Sequence, residues 1–214
     1  MKSTEYIPAL RYHFLTPIYD VFIKSVVPEK KVKTRTVELA QLKPDDNVLD
    51  FGCGTGTLLQ FLKEKHPATE CTGVDNDPRM MKVAKEKLSR VSKVQLVEYA
   101  GHSLPFIDNS FNAVVSTWVF HHLTNEQKAQ AFTEIYRVLK PNGKFVVADW
   151  GKPQNGLMKF LFSILRIVDN FETTQVNFEG RLTEFMRAAN FRNVEIVGNQ
   201  STLLGTLTYY TATK

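Results

Sequence analysis

Two stretches of this chain hold residue types whose spacing can do chemistry. The first is VLDFGCGTGTLL, residues 48 to 59, where a mostly apolar run meets Gly52, Gly54 and Gly56 and then turns helical. Glycines at a strand's carboxyl end let ligand atoms approach bare backbone, and a following helix offers unpaired N–H groups. Tight strand–helix turns also use glycine for purely structural reasons, so the loop alone decides nothing. The second apolar run, TGVDNDP, places Asp75 19 positions after Gly56. A carboxylate there accepts hydrogen bonds from ribose hydroxyls. Its competing role is helix capping, which Asp77 already suits. Loop and carboxylate together point to a ribonucleoside-containing ligand. A dinucleotide would want G-x-G-x-x-G, whereas this chain has G-C-G-T-G-T with Thr57 in the close-packing position. That weakens the dinucleotide reading without removing it.

The stretch WVFHHL, residues 118 to 123, adds His121 and His122 near the expected carboxyl edge. Histidine moves protons near neutral pH. The competing reading is a pair of loop histidines satisfied by backbone groups. Adjacent histidines rarely converge on one ion, and neither cysteine nor carboxylate stands at ligand spacing, so no metal is expected.

These residues need a scaffold that brings strand ends together. Apolar, β-branched runs alternate with helical patterns: strands are expected at 47–51, 70–74, 94–99, 112–118, 144–150, 193–198 and 203–212. In the helix expected at 78–91, Met81, Ala84, Leu88 and Val91 share a face, with Asp77 as N-cap and Pro78 in the first helical position. In residues 125–139, Phe132, Ile135, Tyr136 and Leu139 do the same, and Thr124 with Gln127 suits a capping box. This alternation predicts a parallel sheet covered on both faces. Only GNQS, residues 198–201, separates the last two strands, so they form a hairpin and the final strand runs antiparallel.

The 214 residues suit a single domain, 1–214, with an aromatic-rich N-terminal cap segment, 1–30, and a helical cap insertion, 151–180. The net charge of +5 fits an anionic partner or a membrane surface. The basic residues are interleaved with acids, as in KVAKEKLSR, which reads as a solvated face. No arginine run is interleaved with aromatics, so nucleic acid is not an expected partner. Cys53 and Cys71 form no disulfide framework, which favours a reducing cytoplasm. No apolar stretch is long enough for a transmembrane segment.

Four ordered motifs carry a family resemblance: VLDFGCGTGTLL, GVDNDPRMMKVAKEK, GHSLPFIDNSFNAVVSTWVFHHL and EIYRVLKPNGKFVVAD, spanning roughly residues 35–150. With them the sequence resembles class I S-adenosylmethionine-dependent methyltransferases, most of all the small-molecule branch of the ubiquinone/menaquinone C-methyltransferases. The resemblance implies a Rossmann-like methyltransferase fold: a seven-stranded, mainly parallel α/β sheet with an antiparallel C-terminal hairpin and a helical cap. It implies S-adenosyl-L-methionine as methyl donor and S-adenosyl-L-homocysteine as product. Asp50 and the backbone of Gly52, Cys53, Gly54 and Gly56 would then surround the methionine part of the donor. Asn76 would lie near the adenine beside Asp75, His102 and Ser103 would line the adenine pocket, and Thr117 and Trp118 would face sulfonium and substrate. Where the family often has Asp, this chain has His102, which as neutral imidazole can still accept through one ring nitrogen. Asn112 replaces another frequent Asp and reads as structural.

Methyl transfer from a sulfonium is an in-line displacement in which the protein mainly positions the partners. A carbon or phenolic oxygen acceptor wants a base, and His121 and His122 are the candidate catalytic residues. In GLMKFLFSILRIV, residues 156–168, Lys159, Ser163 and Arg166 share one stripe and the rest is large and apolar. Such a helix packs on several sides, lids an apolar pocket, meets a partner copy or touches a membrane peripherally. The N-terminal tyrosines Tyr12 and Tyr19 are placed to close the cofactor site or to pack as plain core. The expected function is methylation of carbon or oxygen on a small, apolar molecule by a monomer or dimer. A binding-only protein that has lost catalysis and a nicotinamide-dependent oxidoreductase are the alternatives. The latter would need a Tyr/Lys pair at helical spacing, which is not found.

Overall fold

The computed structural model describes residues 28–99, 101–169, 171–202 and 205–214. The helices and strands run α1 (Glu29–Ala40), β1 (Asn47–Phe51), α2 (Thr57–Lys65), β2 (Glu70–Asp75), α3 (Pro78–Leu88), β3 (Val94–Glu98), β4 (Phe111–Thr117), a 3-10 turn (Phe120–His122), α4 (Asn125–Val138), β5 (Leu139–Trp150), α5 (Gly156–Asp169), α6 (Phe171–Glu179), α7 (Leu182–Ala188), β6 (Arg192–Thr202) and β7 (Gly205–Thr213). The seven strands form one sheet in the order β3-β2-β1-β4-β5-β7-β6. β1 to β5 pair in parallel, and β7 runs antiparallel to both β5 and β6.

That order reverses direction between β1 and β4, which lie side by side although β2 and β3 intervene in the chain. Ligands of open α/β sheets bind at the carboxyl ends of strands flanking such a switch point. Both strands are buried on both faces, so their near-continuous apolar runs follow from position. Alternate residues serve opposite layers. Leu49 and Val114 join Phe120, Phe132, Ile135 and Phe145 on the α4 side, whereas Val48, Ala113 and Val115 join Leu58, Leu62 and Met81 on the α2–α3 side.

The expected caps form. Asp77 accepts from the Arg79 N–H at the start of α3, with Pro78 in the first turn, and Thr124 and Gln127 close the capping box of α4. Asn112 ties the opposite edge of the sheet, accepting from the Asn47 N–H and from Lys140 Nζ. The hairpin exists, but GNQS is not its turn. Residues 198–201 continue β6 and pair with β7, and the pairing runs on to Thr202 opposite Gly205. β6 is an edge strand with one solvated side, so its outward polar residues imitate a turn in the sequence. Of the N-terminal cap segment, Tyr12 and Tyr19 lie outside the described residues.

Candidate active site at the switch point

β1 ends at Phe51 and the chain turns through Gly52, Gly54 and Gly56, all with left-handed φ, at 74, 52 and 74°. A Cβ on Gly52 would stand 2.3 Å from Val119 Cγ2, whereas one on Gly54 would meet nothing within 4 Å. Gly52 is therefore fixed by the close approach of β4's extension across the switch point. Gly54 keeps open space over the turn. Cys53 faces the other way. Its Sγ lies 3.8 Å from Met81 Sδ, its N–H donates to the Val74 carbonyl, and its own carbonyl accepts from Gly56. Burial pushes its thiol far above the usual range, so Cys53 anchors the turn from beneath as an inert wedge.

Asp75 ends β2 and works on the same turn. Its Oδ2 accepts from the Gly54 N–H at 2.8 Å and its Oδ1 from the Asp77 N–H at 2.9 Å. Each carboxylate oxygen keeps a second lone pair for a hydroxyl. Asn76 beside it is exposed.

Asp50 is the anomaly of this edge. It is 1% exposed, and neither carboxylate oxygen has a hydrogen-bond partner. Burial pushes its pKa up to about 7; nearby Lys33 opposes this and Asp75 adds to it. A buried, unpartnered carboxylate is destabilising unless a cation or donor joins it.

Across the switch point, β4 ends at the buried Thr117 and the chain enters Trp118 with φ of 57°. A left-handed tryptophan is strained and persists where its surroundings fix it. Here its N–H donates to the Ala148 carbonyl, and its ring joins Val32, Leu207 and Tyr209. The 3-10 turn that follows presents His121, with Nδ1 2.7 Å from Asp149 Oδ1. Asp149, at the end of β5, is fully buried and also accepts from the N–H groups of Phe120 and Trp150, each at 2.7 Å. Burial alone would raise its pKa, but His121 and the Trp150 N–H hold it below the usual carboxylate value. An ionised Asp149 calls for a proton on Nδ1 of His121 and holds the ring through it. His122 lies with its ring 3.8 Å from that of His121. Burial, and then His121, lowers its pKa to about 3, so it stays uncharged near neutrality.

Lys128, fully buried in the first turn of α4, secures this region. Its Nζ donates to the Leu123 carbonyl and, at 2.7 Å, to the Thr173 carbonyl of α6. Burial lowers its pKa to about 8. Beside it, Asn177 Nδ2 donates to the Trp150 carbonyl, while Asn177 Oδ1 and the Tyr210 hydroxyl are buried without partners. His102 and Ser103 are exposed near the end of β3. The Ser103 hydroxyl donates to Glu134 at 3.0 Å, and the His102 carbonyl accepts from Gln130.

The turn glycines, Asp50 and Asp75 thus meet on one side of the switch point, and Thr117, Trp118, His121 and His122 on the other. Sequence reasoning missed Asp149, Lys128 and Asn177. An aspartate closing the apolar run of β5 was a usable signal for the first. The other two sit in polar helical stretches and give none. Among the described residues, no group of three or more His, Cys, Asp or Glu could hold a metal ion.

Residues 49–147 match a family described as a methyltransferase domain. The chain is 33% identical over 153 residues to a demethylmenaquinone methyltransferase of Thermus thermophilus, covering 70% of this chain and 69% of that protein. It is 32% identical over 159 residues to a ubiquinone/menaquinone biosynthesis C-methyltransferase of Shewanella pealeana, covering 72% of this chain and 62%, under two thirds, of that protein. A solved S-adenosylmethionine-dependent methyltransferase from Aquifex aeolicus shares the fold, with TM-score 0.65 and 17% identity over 91% of this chain and 97% of that one.

Proposed function

Because the chain belongs to the class I S-adenosylmethionine-dependent methyltransferases, in the ubiquinone/menaquinone C-methyltransferase branch, we propose that its acceptor is a small apolar ring of the quinol class, methylated on carbon or oxygen. The observation that carries the reading is Asp50, a buried carboxylate without a partner at the carboxyl end of β1. S-adenosylmethionine, when bound, supplies a methyl group already activated by the sulfonium charge. Its cationic methionine end is the kind of guest that the Asp50 carboxylate lacks.

In this reading Asp50 and the backbone of the Gly52–Gly56 turn hold the methionine part. Asp75 accepts from the ribose hydroxyls with its spare lone pairs. Asn76, His102 and Ser103 border the adenine, and Thr117 and Trp118 face the reacting centre. Cys53 contributes only by wedging the turn. The acceptor gains a methyl and gives up one proton, and His121 takes that proton on Nε2 while Asp149 holds the ring. His122, uncharged, packs beside it. The quinol class rests on the demethylmenaquinone methyltransferase relative. The protein acts as a single domain in the cytoplasm, and among the described residues no helix is long and apolar enough to cross a membrane.

The test is transfer of labelled methyl from S-adenosylmethionine to a short-tailed demethylated naphthoquinol, with a polar catechol and ethanolamine phosphate as rivals. Label is expected in the quinol. His121→Gln should lower kcat by about 10²–10⁴-fold, the usual contribution of a general base, with donor affinity retained. Label in a polar rival alone would overturn the acceptor class, and an unchanged kcat would remove His121 from the chemistry.

A further inference from the structure

We propose that the outward face of α5 docks on the surface of an anionic lipid bilayer. The proposal extends the quinol reading, on which it rests for its purpose: a lipid-like acceptor is met at a membrane.

α5 has two unlike faces. Inward, Phe162 is fully buried, with its ring 5.7 Å from Trp150 and 5.8 Å from Phe178. Trp150 in turn lies 6.5 Å, ring to ring, from His121. The inner face thus packs on the part of the fold that carries His121. Outward, Leu157 is 68% and Phe160 63% exposed, one helical turn apart. Large apolar side chains left in water on consecutive turns mark a surface that meets something apolar.

Charge selects the occupant. From Gly151 to Val168 the chain has Lys152, Lys159 and Arg166 and no Asp or Glu; the first acid is Asp169, the last residue of α5. Lys152 and Lys159 are exposed, and neither pairs with a carboxylate among the described residues. Some lysines elsewhere do pair, Lys65 with Glu38, Lys85 with Glu98 and Lys93 with Glu70. An apolar strip flanked by unpaired lysines is the pattern of a helix lying in a lipid interface, apolar side chains sunk below the headgroups and cations against their phosphates. A second copy of this chain suits the face less well. A two-fold interface sets the same patch against itself and would set the basic side chains Lys152 and Lys159 against their own copies.

Flotation of the full chain with phosphatidylcholine vesicles, with and without phosphatidylglycerol, tests this. The wild type is expected to float with the phosphatidylglycerol-containing vesicles, less so as salt rises. Leu157→Ser with Phe160→Ser should reduce the bound fraction by at least about tenfold. Lys152→Gln with Lys159→Gln should abolish the preference for anionic lipid. Three results would overturn the proposal: a wild type that ignores both vesicles, outward-face variants that float as the wild type does, or a wild-type dimer that the apolar double variant splits without any lipid binding. Methyl transfer to the short-tailed quinol, assayed without vesicles, should be unchanged in both variants. Its absence in the wild type would remove the quinol reading while leaving the flotation result to stand or fall alone.

Discussion

β1 and β5 both carry a buried aspartate one residue before their carboxyl end, and the two ends are electrostatic opposites. Asp149 accepts from His121 and from two backbone N–H groups, and its carboxyl is held below the usual range. Asp50 accepts from nothing, and its carboxyl is pushed up to about 7. Both are essentially inaccessible to water. Burial is common to them, so it cannot explain the difference; the supply of donors does. The β5 end is finished within the protein and rigidly aims a histidine. The β1 end leaves its buried carboxyl without a donor from the protein.

Removing Asp149 is the hardest blow to this contrast. Asp149→Ala strips a partner from His121, Phe120 and Trp150 at once and should destabilise the fold by about 3–5 kcal/mol, as breaking a buried pair does. Denaturant unfolding reads this. A loss below about 1 kcal/mol would mean that its donors are satisfied without it. The pH dependence has a defined sign. A carboxyl lowered in the folded state stabilises above its unfolded pKa, and that stability is lost as pH falls through the folded value. The deficit of the variant should therefore be full at neutrality and shrink in acid.

Asp50→Asn should do the reverse. A carboxyl raised from 3.8 to about 7 keeps its proton in the native state through a window where the unfolded chain has lost it. The cofactor-free wild type should therefore lose stability relative to Asp50→Asn as pH rises from about 4 to 7, by up to about 4 kcal/mol. Parallel stability curves for the two proteins across that window would show Asp50 to be neutralised by some other means. The same variant should bind the methyl donor more weakly.

Asp75 sharpens the contrast as an intermediate, since it has partners and retains accepting capacity. Asp75→Ala should weaken S-adenosylmethionine by on the order of 1–3 kcal/mol in calorimetric titration, because ribose hydroxyls lose their acceptor. Asp75→Asn, which keeps one oxygen, should recover part of the loss. Unchanged affinity in Asp75→Ala would place the ribose elsewhere.

Local grammar was legible in the chain. The glycine turn, the Asp77 cap and the Thr124–Gln127 box all depend on residues within a few positions of each other. So does the alternation that dictates a parallel sheet. Where reading failed, the cause was environment. GNQS looked like a turn because an edge strand tolerates outward polar residues that a central strand would not. Lys128 stands in the polar run NEQKAQAF, which gives no sign of burial. It is buried because α6, 45 residues on, offers it the Thr173 carbonyl.

By itself, then, the sequence determined the strand–helix rhythm, the bare backbone at the end of β1 and the acid that faces it. These follow from propensities and spacings that act over a few residues. Only the tertiary structure decided which of two buried aspartates would be given donors, which histidine would be held by one of them, and which face of α5 would be left in water. Each of those depends on groups far apart in the chain, and a hydrogen bond or a desolvated charge is defined only once the fold has brought them together.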